Sequence, residues 1–310
     1  MKRDLKSIKD FSVDEIYEIF ELSADLKSRL KKGDMPKLLN DKVLAMVFEK
    51  PSLRTRCTFE IGMFQLGGHA IHLQPSNIGL GQRESIHDVA KNFERWVDLI
   101  MARTFSHNTI EELAKHASVP VINALSDLTH PCQAMTDIFT LKEHFGNVKG
   151  LTLSYIGDGN NVCNSLMLGC SLLGININIS TPKGYEPQKE IVKISTIYAK
   201  KSGGSIMITD DPVRAVKEIN AIYTDVWASM GQESEAEERK KIFADYQLNS
   251  NLLSYAPEDT LIMHCLPAHR GLEITDDVID SQNSIVFDQA ENRLHVQKAI
   301  MVFLHRESNK

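Results

Sequence analysis

Apolar positions along the chain change their period several times, and those changes divide it into elements. Ser12 and Glu15 form a capping box, after which Ile19, Leu22, Leu26 and Leu30 recur at helical spacing until Gly33 ends the pattern. From Lys42 onward, short runs rich in apolar and β-branched residues alternate with helical segments. "KVLAMVF", "HAIHL", "DLIMARTF" and "VPVINAL" are the strand-like runs of the first half. The polar stretch "GNVKG" at residues 146–150 interrupts the alternation, which resumes with "LTLSYIG", "ININIST", "SIMITD", "AIYTDVW", "TLIMHCLP" and "SIVFDQA". Such a rhythm is that of a parallel sheet with helical crossovers. It predicts an α/β protein with two doubly wound parallel-sheet domains of similar size, residues 1–147 and 148–291. A last helix over residues 292–310 is expected to cross back to the first domain. "ESEAEERKK", at residues 233–241, fits a solvated helix face.

Composition adds constraints more than identity. Hydrophobic residues make up 42% of the 310 and charged residues 25%, which fits an ordinary globular chain. A formal net charge of −6 argues against a general nucleic-acid binder, so any cationic site must be local. Five cysteines without a CxxC pair suggest neither a disulfide framework nor a zinc module, and point to a reducing cytoplasm. The N-terminal residues carry charges and no apolar core of an export signal, and no run is long enough to span a membrane.

Candidate chemistry collects where strands give way to helices. In "EKPSLRTRCTFE", Ser52 reads as an N-cap, which sets Arg54 and Arg56 in or beside a first helical turn, where the backbone dipole is already positive. That placement becomes favourable when an anion sits on the helix N-terminus among guanidinium and hydroxyl groups. "LTHPCQAMTD" repeats the arrangement: Pro131 suits a first turn, and His130 and Gln133 fall at the carboxyl end of the sheet, near Arg103 at the end of "DLIMARTF". "YIGDGNNVCNSL" has two glycines of a dinucleotide fingerprint, but Val162 holds the third position and no acidic residue follows the next strand. Asn160 and Asn161 suit a small polar ligand better than a nicotinamide cofactor. "TDVWASMG" and "HCLPAHRG" end two further strands, and no HExxH or GxSxG pattern supports metal or serine-hydrolase chemistry.

Taken in order, "SLRTR", "HPCQ", "DGNNV", "DVWASMG" and "HCLP" resemble the transcarbamylase (aspartate/ornithine carbamoyltransferase) family over essentially the whole chain, its ornithine branch most closely. The resemblance implies a first domain that binds carbamoyl phosphate through Ser52, Leu53, Arg54, Thr55, Arg103, His130, Pro131, Cys132 and Gln133, with Arg293 reaching in from the start of the last helix. It implies a second domain that binds L-ornithine through Asn161, Asp225, Ser229, Met230, Cys265 and Leu266. Arg54, Arg103, His130 and Cys265 would be the catalytic positions, with no cofactor and no metal, in a homotrimer or a multiple of trimers. Two positions depart from the family pattern. Leu53 replaces the usual Thr and removes a hydroxyl donor, and Gly79 stands where many ornithine enzymes have Gln. N-acetylornithine remains an alternative acceptor. An intact "DVWASMG" favours the free amino acid, because Asp225 would lose an ammonium partner if the α-amine were acetylated. An aspartate acceptor would call for added cations in the second domain, and a non-catalytic binding protein would have no need of every reactive position.

Overall fold

The computed structural model describes residues 2–74, 79–80, 83–228 and 233–310. Four of the apolar runs form one parallel sheet in the order β2-β1-β3-β4: β1 Val43–Phe48, β2 His69–Leu73, β3 Leu99–Arg103 and β4 Val121–Leu125. Its central strands are buried on both faces, which is why their sequences read as unbroken apolar runs. On the β4 side, Leu5 pairs across the free edge, its N–H donating to Val121 O at 2.9 Å and its carbonyl accepting from Asn123 N at 2.7 Å. Helices α1 (Val13–Lys31), α2 (Leu53–Gln65), α3 (Ile86–Trp96) and α4 (His107–His116) each open on a serine, Ser12, Ser52, Ser85 or Ser106, whose hydroxyl accepts a first-turn N–H. Helix α5 (Pro131–Phe145) follows β4.

A second parallel sheet has the order β7-β6-β5-β8-β9, with β5 Thr152–Ile156, β6 Asn176–Ser180, β7 Ile206–Thr209, β8 Ala221–Thr224 and β9 Leu261–His264. Helices α6 (Asn161–Leu173) and α7 (Lys189–Ser202) follow β5 and β6, α8 (Ala236–Ile242) follows β8, and α9 (Val286–Ser308) ends the chain. In both sheets the chain winds outward one way and then the other. The reversal lies between β1 and β3 in the first sheet and between β5 and β8 in the second, and crevices open there at the carboxyl ends of the strands.

Met1–Phe139 with Glu291–Lys310 makes one compact unit, and Thr140–Ala290 the other. The change of unit falls inside α5, upstream of the glycine-bearing residues 146–150. One expected strand is absent: "SIVFDQA" makes a single bridge, Ser284 with Ile262, and turns into α9 at Val286. Helix α9 therefore begins earlier than its apolar pattern suggests, and Arg293 lies within it, not at its start.

Candidate active site

In the first unit the strand-to-helix mouths carry the basic residues. Ser52 caps α2, accepting from Thr55 N at 3.3 Å and donating its own hydroxyl to Thr55 Oγ1 at 3.0 Å. No acidic residue occupies the first turn of α2, so the dipole there is opposed by Arg54. Arg56 turns outward to Glu60 one helical turn on, at 3.3 Å. Leu53 is 75% exposed, and the departure from Thr at this position leaves its side chain in solvent. Arg103, buried at the end of β3, lies next to the crevice between β1 and β3, and its carbonyl accepts from Glu49 N at 2.8 Å.

His130 precedes Pro131, the first residue of α5. Burial, followed by the charges of Arg293, Arg103 and Arg54, holds its imidazole well below the ordinary range, so it is neutral at pH 7 and offers one N–H donor. Gln133 Nε2 donates to Asp137 Oδ1 at 2.7 Å, and its Oε1 accepts from Arg293 Nη1 at 2.5 Å. Arg293 also donates through Nη2 to the buried Thr55 Oγ1 at 3.2 Å. The Gln297 amide, with its oxygen turned toward the guanidinium, accepts from Nε at 3.0 Å and Nη2 at 2.9 Å. Cys132 is fully buried, donates to Asn123 O at 3.5 Å, and has its thiol pushed up to about 12 by burial. That side chain packs inside the unit, leaving its backbone for any ligand.

The second unit gathers the other candidates. Asn160 caps α6 through Oδ1, which accepts from Val162 N at 2.9 Å and Cys163 N at 3.1 Å, while its Nδ2 donates to Asp225 Oδ2 at 2.9 Å. Asn161 is the first residue of α6 and half-buried. Asp225, just past β8, also accepts from Val226 N at 2.8 Å and from the Cys265 thiol at 3.0 Å. Its carboxylate is therefore aimed by three donors. Leu266 has a left-handed backbone, φ 56°, and its N–H donates to His264 Nδ1 at 2.8 Å. His264 Nε2 then carries the proton and donates to Glu273 Oε1 at 3.1 Å, with both side chains buried. Ser229 and Met230 lie outside the described residues.

Donor atoms of Asp225, His264 and Cys265 fall within 4.8 Å of one another. Both ring nitrogens of His264 are already engaged, one as acceptor and one as donor, so the cluster is a hydrogen-bonded support for the turn after β9. Nearby, Arg239 of α8 donates to Asp158 Oδ2 at 2.9 Å and Trp227 O at 2.8 Å. Burial pushes the Asp158 carboxyl up to about 6 despite that pairing. Sequence reasoning did not include Asp137, Asp158, Glu273 or Arg239 among the site residues. Asp137 meets Gln133 across one turn of α5, whereas Arg239 meets Asp158, and Glu273 meets His264, only through tertiary folding.

Two family models match the chain. The aspartate/ornithine carbamoyltransferase carbamoyl-P binding domain covers residues 3–143, and the Asp/Orn binding domain covers residues 149–304. An ornithine carbamoyltransferase of Pyrococcus horikoshii is 53% identical over 302 residues, which are 97% of this chain and 95% of that one. The solved ornithine carbamoyltransferase of Pyrococcus furiosus superposes with a TM-score of 0.95 at 52% identity, covering 97% of this chain and 96% of that chain. The solved ornithine transcarbamoylase of Giardia lamblia gives 0.90 at 34% identity, with 99% of both chains covered. With both domain models matched in order and relatives of this identity along nearly its full length, the chain belongs to the aspartate/ornithine carbamoyltransferase family.

Proposed function

We propose that the chain transfers the carbamoyl group of carbamoyl phosphate to the δ-amine of L-ornithine, giving L-citrulline and phosphate. The observation that carries this reading is Arg293 bonded to both Gln133 and Thr55 beside a helix N-terminus capped by Ser52, with the charges of Arg293, Arg103 and Arg54 lowering the affinity of His130 for a proton. An arrangement of this kind suits a dianion whose neighbouring carbonyl oxygen becomes negative during attack. The ornithine specificity is supported by the names of the relatives and by Asp225, an aimed carboxylate suited to an α-ammonium group. N-acetylornithine is disfavoured on the same ground. A relative from Pyrococcus furiosus is named as anabolic, which supports a role in arginine biosynthesis.

In the proposed reaction the first unit binds carbamoyl phosphate through Ser52, Arg54, Thr55, Arg103, His130, Gln133 and Arg293, with backbone contributions from Leu53, Pro131 and Cys132. The second binds ornithine through Asn161, Asp225, Ser229, Met230, Cys265 and Leu266. The neutral δ-amine attacks the carbonyl carbon, a tetrahedral intermediate forms, and phosphate departs as the C–O bond breaks. His130 and the arginines stabilise the oxyanion and the leaving group. An unperturbed amine of this type titrates near 10.4, so a positive site that lowers this value raises the reactive fraction at neutral pH. As the C–N bond forms, the amine proton passes to the Cys265 sulfur while the thiol proton passes to the Asp225 carboxylate it already faces.

The reading extends to a reducing cytoplasm, supported by five free cysteines including the Cys265 thiol, and to a homotrimer. The trimer is supported by an apolar surface on the first unit. Ile61 and Phe64 of α2 are exposed beside the edge strand β2, and a groove of about 460 Å³ lies between them and Gly68, His69 and Ala70. Light scattering should return the mass of three chains.

The deciding experiment is a panel of L-ornithine, N-acetylornithine, putrescine and L-aspartate, each with carbamoyl phosphate. Ornithine should be carbamoylated with a kcat/KM at least ~100-fold above the others. Absence of citrulline, or equal use of another amine, would overturn the assignment.

A further inference from the structure

Gln133 is held at both ends of its amide. Nε2 donates to Oδ1 of Asp137 at 2.7 Å, and Oε1 accepts from Nη1 of Arg293 at 2.5 Å. A carboxylate only accepts and a guanidinium only donates, so the amide has a single orientation. The same guanidinium donates through Nη2 to Thr55 Oγ1 at 3.2 Å, and Thr55 Oγ1 accepts from Ser52 Oγ at 3.0 Å. The oxygen end of Gln133 therefore lies on the side of the α2 N-terminus. Its N–H end is turned along α5 toward Asp137, one helical turn on and wholly buried.

We propose that Asp137 is a positioning residue that makes Gln133 present an acceptor, and no donor, to the phosphate-binding end, so that the site selects acyl phosphates bearing an N–H₂ group. The proposal rests on the carbamoyl phosphate reading of the same site. Around the carbonyl carbon, carbamoyl phosphate carries N–H₂ where acetyl phosphate carries a methyl group. The N–H₂ group has hydrogens to give, and Gln133 Oε1 has a second lone pair to receive one. A methyl group leaves that lone pair buried and unsatisfied, which is the condition under which a site rejects an isosteric ligand strongly. If the amide were reversed, N–H₂ would face N–H₂. Asp137 opposes the reversal at the N–H end of the amide, as Arg293 does at the oxygen end.

The test compares KM for carbamoyl phosphate with the competitive inhibition constant of acetyl phosphate. The wild-type chain should prefer the carbamoyl compound by at least ~10-fold, and Asp137→Leu should reduce the preference to within about threefold while leaving the acetyl phosphate constant unchanged. Asp137→Asn keeps a carbonyl acceptor and should retain most of the preference. Gln133→Ala should abolish it, and adding Asp137→Leu to that variant should change it no further. Asp137→Ser, whose hydroxyl is too short to reach the amide, gives the same reading should the leucine variant fail to fold. Equal loss of affinity for both acyl phosphates in the Leu and Ser variants would make Asp137 a packing residue and overturn this proposal alone. A wild-type chain that makes no citrulline would overturn the substrate reading and this proposal with it.

Discussion

Arg54 and Arg56 look equivalent in the sequence, yet the structure gives them different work. Arg56 pairs with Glu60 on the surface of α2, whereas Arg54 acts on His130 together with Arg103 and Arg293. Removing Arg54 takes a positive charge from a first turn that disfavours it, so Arg54→Ala should leave stability unchanged or higher by a few tenths of a kcal/mol. The same change should raise KM for carbamoyl phosphate by ~100-fold or more, since a charge-assisted contact to a dianion is lost. An unchanged KM in a well-folded variant would remove Arg54 from the site. Cys265→Ser tests the other unit. Its Sγ donates to Asp225 at 3.0 Å, and a serine hydroxyl is far less acidic, so kcat should fall by ~10-fold or more if the thiol shares in proton transfer. Near-native turnover would reject that role. His130 and Gln133 were readable because they flank a strand-to-helix mouth marked by Pro131. Glu273 gave no such signal, because it meets His264 only after the turn beyond β9 has folded back.

At the scale of elements, nearly every strand could be read from the sequence: the inner strands, buried on both faces, leave unbroken apolar runs, and the more exposed edge strands β2 and β7 are still rich in apolar residues. "SIVFDQA" has the same appearance and a different fate. Its pairing with the edge strand β9 is a single bridge at Ser284, in which Ile262 N donates to Asn283 O and Ile285 N to Ile262 O, and beyond it the segment satisfies its backbone as the first turns of α9. Apolar character alone does not decide which face of α2 is buried: Phe59 and Met63 are buried, while Phe64 is 69% exposed. Glycine meaning was recoverable only from the structure. A Cβ on Gly159 would come within 2.4 Å of Pro187 N and 2.6 Å of Tyr185 O, both backbone atoms that cannot yield cheaply. Gly159 thus serves close chain packing and Gly157 a backbone at φ 138°, and neither needs a dinucleotide to explain it. Gly159→Ala should cost about 1–3 kcal/mol and raise KM for ornithine, because the displaced loop carries Asn160 and its bond to Asp225. Denaturant titration together with ornithine saturation curves would check both effects, and an unaltered variant in both assays would show that the loop tolerates the added methyl.

On the scale of the whole molecule, buried titratable groups give the two units opposite responses to acid, which no charge count could have revealed. In the first unit, burial followed by the charges of Lys298, Lys27 and Lys31 lowers His295 from 6.5 to about 3, and His130 is lowered in the same direction. Between those values the unfolded chain holds the proton and the folded chain does not, so stability falls as the pH falls through this window. From pH 6.5 to 4.5 the His295 share is roughly 2–3 kcal/mol, at 1.36 kcal/mol per pH unit. Asp4, raised by burial in the same unit, offsets part of it. The second unit behaves in reverse, because burial raises Asp158 from 3.8 to about 6 against the pull of Arg239. There the folded state holds the proton, and stability rises as the pH drops from 6 toward 3.8. Hydrogen exchange, converted to opening free energies, should therefore show β1 and β3 losing protection between pH 7 and 4.5 while β5 and β8 keep theirs. His295→Gln should restore much of the loss in β1 and β3. Equal loss in both sheets, or an unaltered acid response in the variant, would place the acid-sensitive groups elsewhere.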